Sequence, residues 1–178
     1  DYYKFKKQEN VIPEIPPIEV TQQQDTGIKI NLKSLIILAP KELQNIIDKE
    51  KYYKMTIGVP QSINDLYNIA YEIERDFNEK GYPLVRVILP VQELEPEQAS
   101  VFFKVIDGFI EKIDLSKVPK AQTLRTYAYL KPLINKKNMT LKLLERQLLL
   151  ASNSAGLTFT SSLIQGVKEG STSRVIEA

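Results

Sequence analysis

The stretch Ser62–Pro90 constrains the fold most, because it combines a capped amphipathic helix, a sharp stop and a short strand. Ser62 is a favoured N-cap residue, and Asp65 stands where the acid of a capping box is expected. Apolar residues then recur at steps of three and four, which places them on one helix face: Ile63, Leu66, Ala70, Ile73 and Phe77. Such a face needs a sheet or a second helix to cover it.

The end of this stretch predicts an abrupt change from helix to strand. Gly81 follows the last apolar position, where a residue without a Cβ atom is favoured, and Pro83 prevents the helix from resuming. The apolar run Leu84–Leu89 predicts a strand, which Pro90 ends. The pattern places the charged residues of the helix mostly off its apolar face: Glu72, Glu74, Arg75, Asp76 and Glu79.

Composition excludes several functional classes. The 178-residue chain is 43 % hydrophobic and 26 % charged, as is usual for soluble globular proteins. Its net charge of +2 gives no strong attraction to nucleic acid, so no nucleic-acid partner is expected. The absence of His and Cys removes catalytic triads, Cys–His pairs, tetrahedral zinc sites and disulfides. Only carboxylates, Lys, Tyr and Ser remain for catalysis, and no pair of acids is expected at two facing strand ends. We predict no catalytic residue, no metal site and no cofactor.

The first half of the chain reads as a linker followed by a series of strands and helices. Residues 1–27 are Pro-rich and fit either an extended tether or a disordered tail. A connection is expected over residues 52–61. The predicted elements are a strand at 28–38, helices at 41–51 and 62–80, and strands at 84–89 and 100–106.

The same order of elements returns after Gly108, which we interpret as a domain joint that needs unusual backbone angles. Thr140 is a candidate N-cap and Gly156 a helix stop. The predicted elements are a strand at 109–115, helices at 120–134 and 141–155, and strands at 157–164 and 172–176. The apolar positions of the helix at 120–134 are Leu124, Tyr127, Ala128 and Leu130.

Three runs of residues, taken in order, resemble a known family. They are LYNIAYEIERDFNEKGYPLVRVILPVQEL from Leu66, VFFKVIDGFIEKI from Val101 and LERQLLL from Leu144. These runs are similar to the periplasmic part of two-partner secretion transporters, the FhaC/ShlB-type outer-membrane proteins. The resemblance extends over residues 28–178.

The resemblance implies an α+β fold of two tandem POTRA (polypeptide-transport-associated) domains, at 28–108 and 109–178. Each is expected to have the order β-α-α-β-β, with a three-stranded mixed sheet packed against two helices. The resemblance also implies a position at the periplasmic face of the bacterial outer membrane and an outer-membrane β-barrel of the same protein after Ala178. The implied protein is a monomer without enzymatic activity, and its partner is an unfolded secreted exoprotein, here called the client.

The family's strand order places the open edge of the first sheet at Leu84–Leu89. An edge strand offers unpaired backbone groups to an added strand with little demand on its sequence. The edge residues expected to bind the client are Leu84, Val85, Arg86, Val87, Ile88 and Leu89. The neighbouring helix would wall the groove with Leu66, Tyr67, Tyr71 and Arg75.

Structural interpretations stand beside these functional ones. Tyr67 and Tyr71 also fit ordinary core or helix-surface aromatic residues, and Arg86 also fits a guard against edge-to-edge aggregation. Glu145 and Arg146 fit either a solvated helix pair or an inter-domain contact. At the level of function, a scaffold for outer-membrane protein assembly or for a division-type complex is the alternative to client binding.

Overall fold

The computed structural model describes residues 27–166 and 170–177, which form the order β-α-α-β-β twice. Of the predicted linker, only Gly27 lies within these residues. The first series consists of β1 Leu32–Leu38, α1 Lys49–Thr56, α2 Ile63–Glu79, β2 Arg86–Ile88 and β3 Ala99–Ile106. The second consists of β4 Phe109–Lys117, α3 Lys120–Leu130, α4 Leu141–Ala155, β5 Thr160–Gln165 and β6 Ser171–Glu177. The 3-10 helices Lys41–Leu43 and Lys131–Leu133 precede α1 and follow α3.

Two three-stranded mixed sheets share one connectivity. Their strand orders are β1-β3-β2 and β4-β6-β5, with the first pair of each parallel and the second antiparallel. This confirms the predicted α+β fold, with its three-stranded mixed sheet and helices. Each sheet has a buried hydrophobic cluster of its own. The division into domains at residue 108 stays a prediction.

Helix α2 forms as the sequence predicts, except that Glu74 is buried. The Ser62 hydroxyl accepts a hydrogen bond from the Asp65 amide at 3.1 Å, and the Asp65 carboxylate accepts one from the Ser62 amide at 2.7 Å. Leu66, Ile73 and Phe77 are fully buried, as predicted, and Ala70 is buried with them. Glu74 was expected off the buried face, but its residue is only 7 % exposed, so that expectation is wrong.

The predicted helix at 41–51 and the predicted connection at 52–61 are both wrong. Pro40 starts only a 3-10 helix, and the α-helix begins after Asp48, whose side chain accepts a hydrogen bond from the Glu50 amide at 3.0 Å. This cap carries the helix through Tyr52, which is fully buried. This short segment offers two possible helix starts, Pro40 and the N-cap Asp48, and the prediction chose the proline.

In the second series, α4 has its predicted bounds and α3 does not. The Thr140 hydroxyl caps α4, and Gly156 ends it in the left-handed conformation. α3 ends at Leu130, since Pro132 in the following turn favours a 3-10 helix over continuation. Leu124, one of the apolar positions of this helix, is 82 % exposed, whereas Thr126 and Leu130 are buried.

The two sheets meet where Gly108 passes the end of the α2–β2 turn. A Cβ atom built on Gly108 would lie 1.9 Å from the Leu84 carbonyl oxygen, a distance that no side chain tolerates. Gly108 does not have a positive φ, so the predicted need for unusual backbone angles is wrong there. The glycine is required by close approach instead.

Hydrogen bonds from the second series fasten the same joint. The Gly81 carbonyl accepts a hydrogen bond from the Leu141 amide at the start of α4, at 2.8 Å. The Asp107 carboxylate accepts from the Asn138 amide at 3.0 and 3.1 Å. Leu84 is buried in the second cluster, whereas its neighbour Val85 is buried in the first. One short segment therefore contributes to both cores.

Phe77→Ala tests the packing of α2 against the first sheet. Because Phe77 is fully buried, we expect the free energy of unfolding to fall by about 3–5 kcal/mol. Urea unfolding followed by circular dichroism measures this loss. Tyr71→Ala is the matched control, since Tyr71 is 57 % exposed on the same helix. A Phe77→Ala protein as stable as the control would contradict the assigned core.

Gly108→Ala tests the joint between the sheets. The added methyl group meets a backbone carbonyl, which cannot rotate away as a side chain can. We expect a loss of about 1–3 kcal/mol in unfolding free energy, because the backbone must shift to admit the methyl group. Thermal unfolding measures the effect, and an unchanged midpoint would show that the sheets do not approach each other here.

Candidate functional site

Strand β2 lies at the edge of the first sheet and is shorter than predicted. The sequence indicated six residues, Leu84–Leu89, but only Arg86–Ile88 pair with β3. Leu84 is drawn into the second cluster, and the Val85 amide donates to the Tyr82 carbonyl at 3.3 Å. These turn contacts delay the start of the strand, and Pro90 lacks the N–H that a longer ladder would use.

The Val87 amide at the middle of β2 does not take part in the ladder with β3. Its N–H donates to a carboxylate oxygen of Glu74, on α2, at 2.9 Å. Neighbouring residues of an edge strand direct their amides alternately to the sheet and away from it. Val87 therefore presents its N–H on the side where a further strand would add, and Glu74 occupies that position.

Arg86 holds the other oxygen of the same carboxylate. Its guanidinium Nη1 lies 2.9 Å from Glu74 Oε1, and the Arg86 and Glu74 side chains are 25 % and 9 % exposed. Val87 points its side chain into the core, so Arg86 leaves the strand on the opposite face. The Arg86 side chain must therefore turn around the edge of β2 to reach Glu74, which places both charges beside that edge.

Gln92 closes the neighbouring edge, where β2 has ended and β3 continues. Its carboxamide accepts a hydrogen bond from the Phe102 amide and donates one to the Phe102 carbonyl, both at 3.0 Å. The side chain therefore makes the two bonds that a paired strand residue would make. Together, Glu74 and Gln92 satisfy backbone groups of β2 and β3 that an added strand would otherwise use.

Burial raises the pKa of Glu74 above the ordinary glutamate value of 4.5, although the Val87 amide and Arg86 favour the ionised form. The hydrogen bonds and the positive charge thus compensate only part of the cost of burying this carboxylate. Asp65 shows the opposite behaviour at the surface, since hydrogen bonds from Ser62 lower its pKa. Burial of the Glu74 carboxylate therefore costs folding free energy that its hydrogen bonds and ion pair do not fully offset.

The predicted groove wall on α2 is partly exposed. Tyr67, Tyr71 and Glu74 follow one another at steps of four and three, so they occupy one side of the helix. Tyr71 is exposed and Tyr67 is half-buried. Arg75 lies 4.0 Å from Glu72 and 3.6 Å from Glu79, so its charge is engaged with acids of its own helix.

The structure brings together only some of the predicted site residues. Arg86 and Val87 lie at the edge beside α2, and Ile88 is half-buried next to them. Leu84 and Val85 precede the strand and belong to different cores, and Leu89 packs against the first cluster. The predicted roles of Glu145 and Arg146, which lie on α4, stay predictions.

Sequence reasoning missed Glu74 and Gln92 as parts of this edge. Glu74 is four residues after Ala70 and three before Phe77, so the spacing that identified the buried face includes it. The prediction nevertheless placed Glu74 in solvent because its side chain is charged. For Gln92 the sequence offers a proline two residues earlier, which ends β2 before its partner β3 ends.

The helices within residues 27–166 and 170–177 include none with the length and apolar character of a membrane-spanning segment.

The architecture is that of the POTRA domains of outer-membrane proteins. The POTRA1–3 structure of the Omp85 periplasmic domain from Anabaena is similar, with 16 % identity and a TM-score of 0.52, over 83 % of this chain and 65 % of that chain. CdiB from Escherichia coli is similar with 15 % identity and a TM-score of 0.62, over 93 % of this chain and 30 % of that chain. At these identities the likeness establishes the fold.

The sequence is also similar to that of the heme/hemopexin transporter protein HuxB from Haemophilus influenzae. The two are 31 % identical over 96 residues, which are 53 % of this chain and 17 % of that protein. The chain thus spans less than a fifth of the curated relatives it matches, and no family model matches it. CdiB and HuxB are two-partner secretion transporters, so the predicted resemblance to that family is confirmed.

The raised pKa of Glu74 predicts a specific pH dependence of stability. A carboxyl whose pKa is higher in the folded state binds its proton more tightly there, so its favourable contribution is greatest at low pH. That contribution is lost as pH rises from the unfolded value of 4.5 through the raised folded value. We therefore expect wild type to lose stability relative to Glu74→Gln over this rise.

Urea unfolding of both proteins between about pH 4 and pH 8 measures this difference. Asp65 and other carboxyls with lowered pKa values act in the opposite direction, but they are common to both proteins and cancel. Glu72→Gln, which removes the same charge from a partly exposed position of α2, controls for a general charge effect. Parallel profiles for wild type and Glu74→Gln would contradict the burial of this carboxylate.

Proposed function

We propose that this chain is the periplasmic polypeptide-binding module of an outer-membrane two-partner secretion transporter. It recognises an unfolded exoprotein, of adhesin or haemolysin type, and passes it to a β-barrel pore. The observation that carries the proposal is the edge of β2, where the Val87 amide is directed away from the sheet and beside α2. The transporter relatives and the POTRA fold support it.

Strand addition at β2 is the proposed mode of recognition. A client carbonyl accepts a hydrogen bond from the Val87 N–H, which Glu74 accepts in the structure. Client side chains at alternate positions then face α2. Tyr67 and Tyr71 provide aromatic surface on that helix for those side chains. Backbone pairing suits a transporter client, because a long unfolded chain can dock with little demand on its sequence.

The alternative is a scaffold of the same fold that serves outer-membrane protein assembly or a division-type complex. The likeness to the Omp85 POTRA domains is the observation that favours it. No enzymatic role is proposed, since the relatives are transporters and POTRA proteins. The position proposed for the transporter module is the periplasmic face of the outer membrane, and it is supported by the periplasmic position of the POTRA domains of outer-membrane transporters.

A titration followed by NMR tests client binding and locates it. The labelled chain is titrated with the secretion domain of the exoprotein encoded beside it, kept unfolded in mild urea. We expect shifts concentrated on Arg86–Ile88 and on α2. Shifts confined to β5, the six-residue edge strand of the second sheet, would move the site there. The absence of any shift would favour the scaffold.

Val87→Pro tests the edge itself. Proline removes the outward N–H but is tolerated on an edge strand at such a position. We expect weaker client binding by a folded protein, because the client loses its central hydrogen bond. Val91→Pro is the matched control, since Val91 is fully exposed and lies outside β2. Unchanged affinity of a folded Val87→Pro protein would reject β2 as the docking strand.

A further inference from the structure

This inference rests on the proposed function, in which a client strand pairs with β2. In the structure, the Glu74 side chain occupies the position beside Val87 that this strand would take. We infer that the Val87 amide and the Arg86 guanidinium form a carboxylate-binding site, and that the client segment displacing Glu74 brings an acidic side chain of its own to Arg86. The inference thus names a class of client: extended segments with an Asp or Glu at the docking position.

The geometry of the site is that of a two-point carboxylate receptor. One oxygen of Glu74 accepts from the Val87 N–H and the other from Arg86 Nη1, each at 2.9 Å. The two donors come from consecutive residues of β2, whereas the carboxylate comes from α2. The donors therefore belong to the strand edge, and the carboxylate is the exchangeable part. An ionised acceptor between such donors makes stronger hydrogen bonds than a neutral one.

Strand addition by an uncharged segment would satisfy only one of the two donors. A client carbonyl can replace Glu74 at the Val87 N–H, but it carries no charge for the guanidinium. The Arg86 side chain is three-quarters buried, and a buried charge without a counter-charge is strongly unfavourable. A client carboxylate restores the pair, so acidic segments should displace Glu74 more readily than neutral ones.

The register of an added strand brings such an acid within reach. Residues directly opposite each other on paired strands have Cβ atoms about 5 Å apart. The client strand adds at the edge beside which the Arg86 guanidinium lies, so an acid opposite Arg86 is within reach of it.

Acetate provides a direct test of the carboxylate receptor. Glu74→Ala leaves the two donors in place and removes the internal carboxylate. We expect added sodium acetate to shift the Val87 amide and Arg86 Nε NMR signals of this variant saturably, and to raise its unfolding temperature. Sodium chloride at equal ionic strength controls for salt. Wild type and Glu72→Ala, whose Glu74 remains, should show no saturable shift; equal responses to acetate and chloride would overturn the receptor.

Two peptides test the client class. They are acetylated, amidated Thr-Val-Thr-Glu-Thr-Val-Thr and its counterpart with Gln at the centre. We expect the Glu peptide to bind Glu74→Ala about tenfold more tightly than the Gln peptide does, and more tightly than it binds wild type, where Glu74 competes. Glu74→Gln, which retains the shape of the side chain, serves in place of Glu74→Ala if the latter does not fold.

The outcomes separate this inference from the proposed function. Equal affinities of the two peptides, with shifts at Arg86–Ile88, would overturn the acidic preference and leave strand addition standing. An absence of shifts at β2 with either peptide, in wild type and variant alike, would overturn both. Tighter binding of the Glu peptide to Glu74→Ala, with shifts at β2, supports both.

Discussion

At Gly108 the backbone passes so close to the Leu84 carbonyl that no side chain fits between them. This approach decides where the second sheet begins and draws Leu84 into the second cluster. The withdrawal of Leu84 shortens β2, because the segment before Arg86 follows the turn and not β3. The same turn offers the Gly81 carbonyl to the first amide of α4. The edge of one sheet and the start of the other thus depend on a single contact between backbones.

The first sheet satisfies much of its own edge. A short edge strand is one protection against pairing with other chains, and polar side chains turned onto the backbone are another. Glu74 and Gln92 provide the second protection by bonding with Val87 and Phe102. Under the proposed function, a client would compete with these two side chains, which are held beside the strand by the fold itself. Such competition would allow the edge to accept a specific segment while it resists indiscriminate pairing.

Local signals made part of this structure predictable. α2 and α4 begin directly after their N-cap residues Ser62 and Thr140, and α4 ends directly before Gly156. These ends were predictable because the capping bonds and the glycine turn lie within a few residues of each helix end. The length of β2 was not predictable in this way, since it depends on Leu84 meeting residues far along the chain. Glu74 shows a different limit: its spacing marked it as buried, but its charge argued against burial. The donors that stabilise it, on Arg86 and Val87, come from another element.

The alternation of Leu84 and Val85 between two cores fixes the length of the chain segment between them and the helix. One added residue after Tyr82 would move Leu84 to the place of Val85 and Val85 to the place of Arg86, which takes Leu84 out of the second cluster and displaces Arg86 from Glu74. Substitutions in this turn change only one contact, whereas an insertion or deletion changes every contact beyond it. Among proteins built on this plan, the segment from Gly81 to Val87 should therefore vary in residue type far more freely than in length.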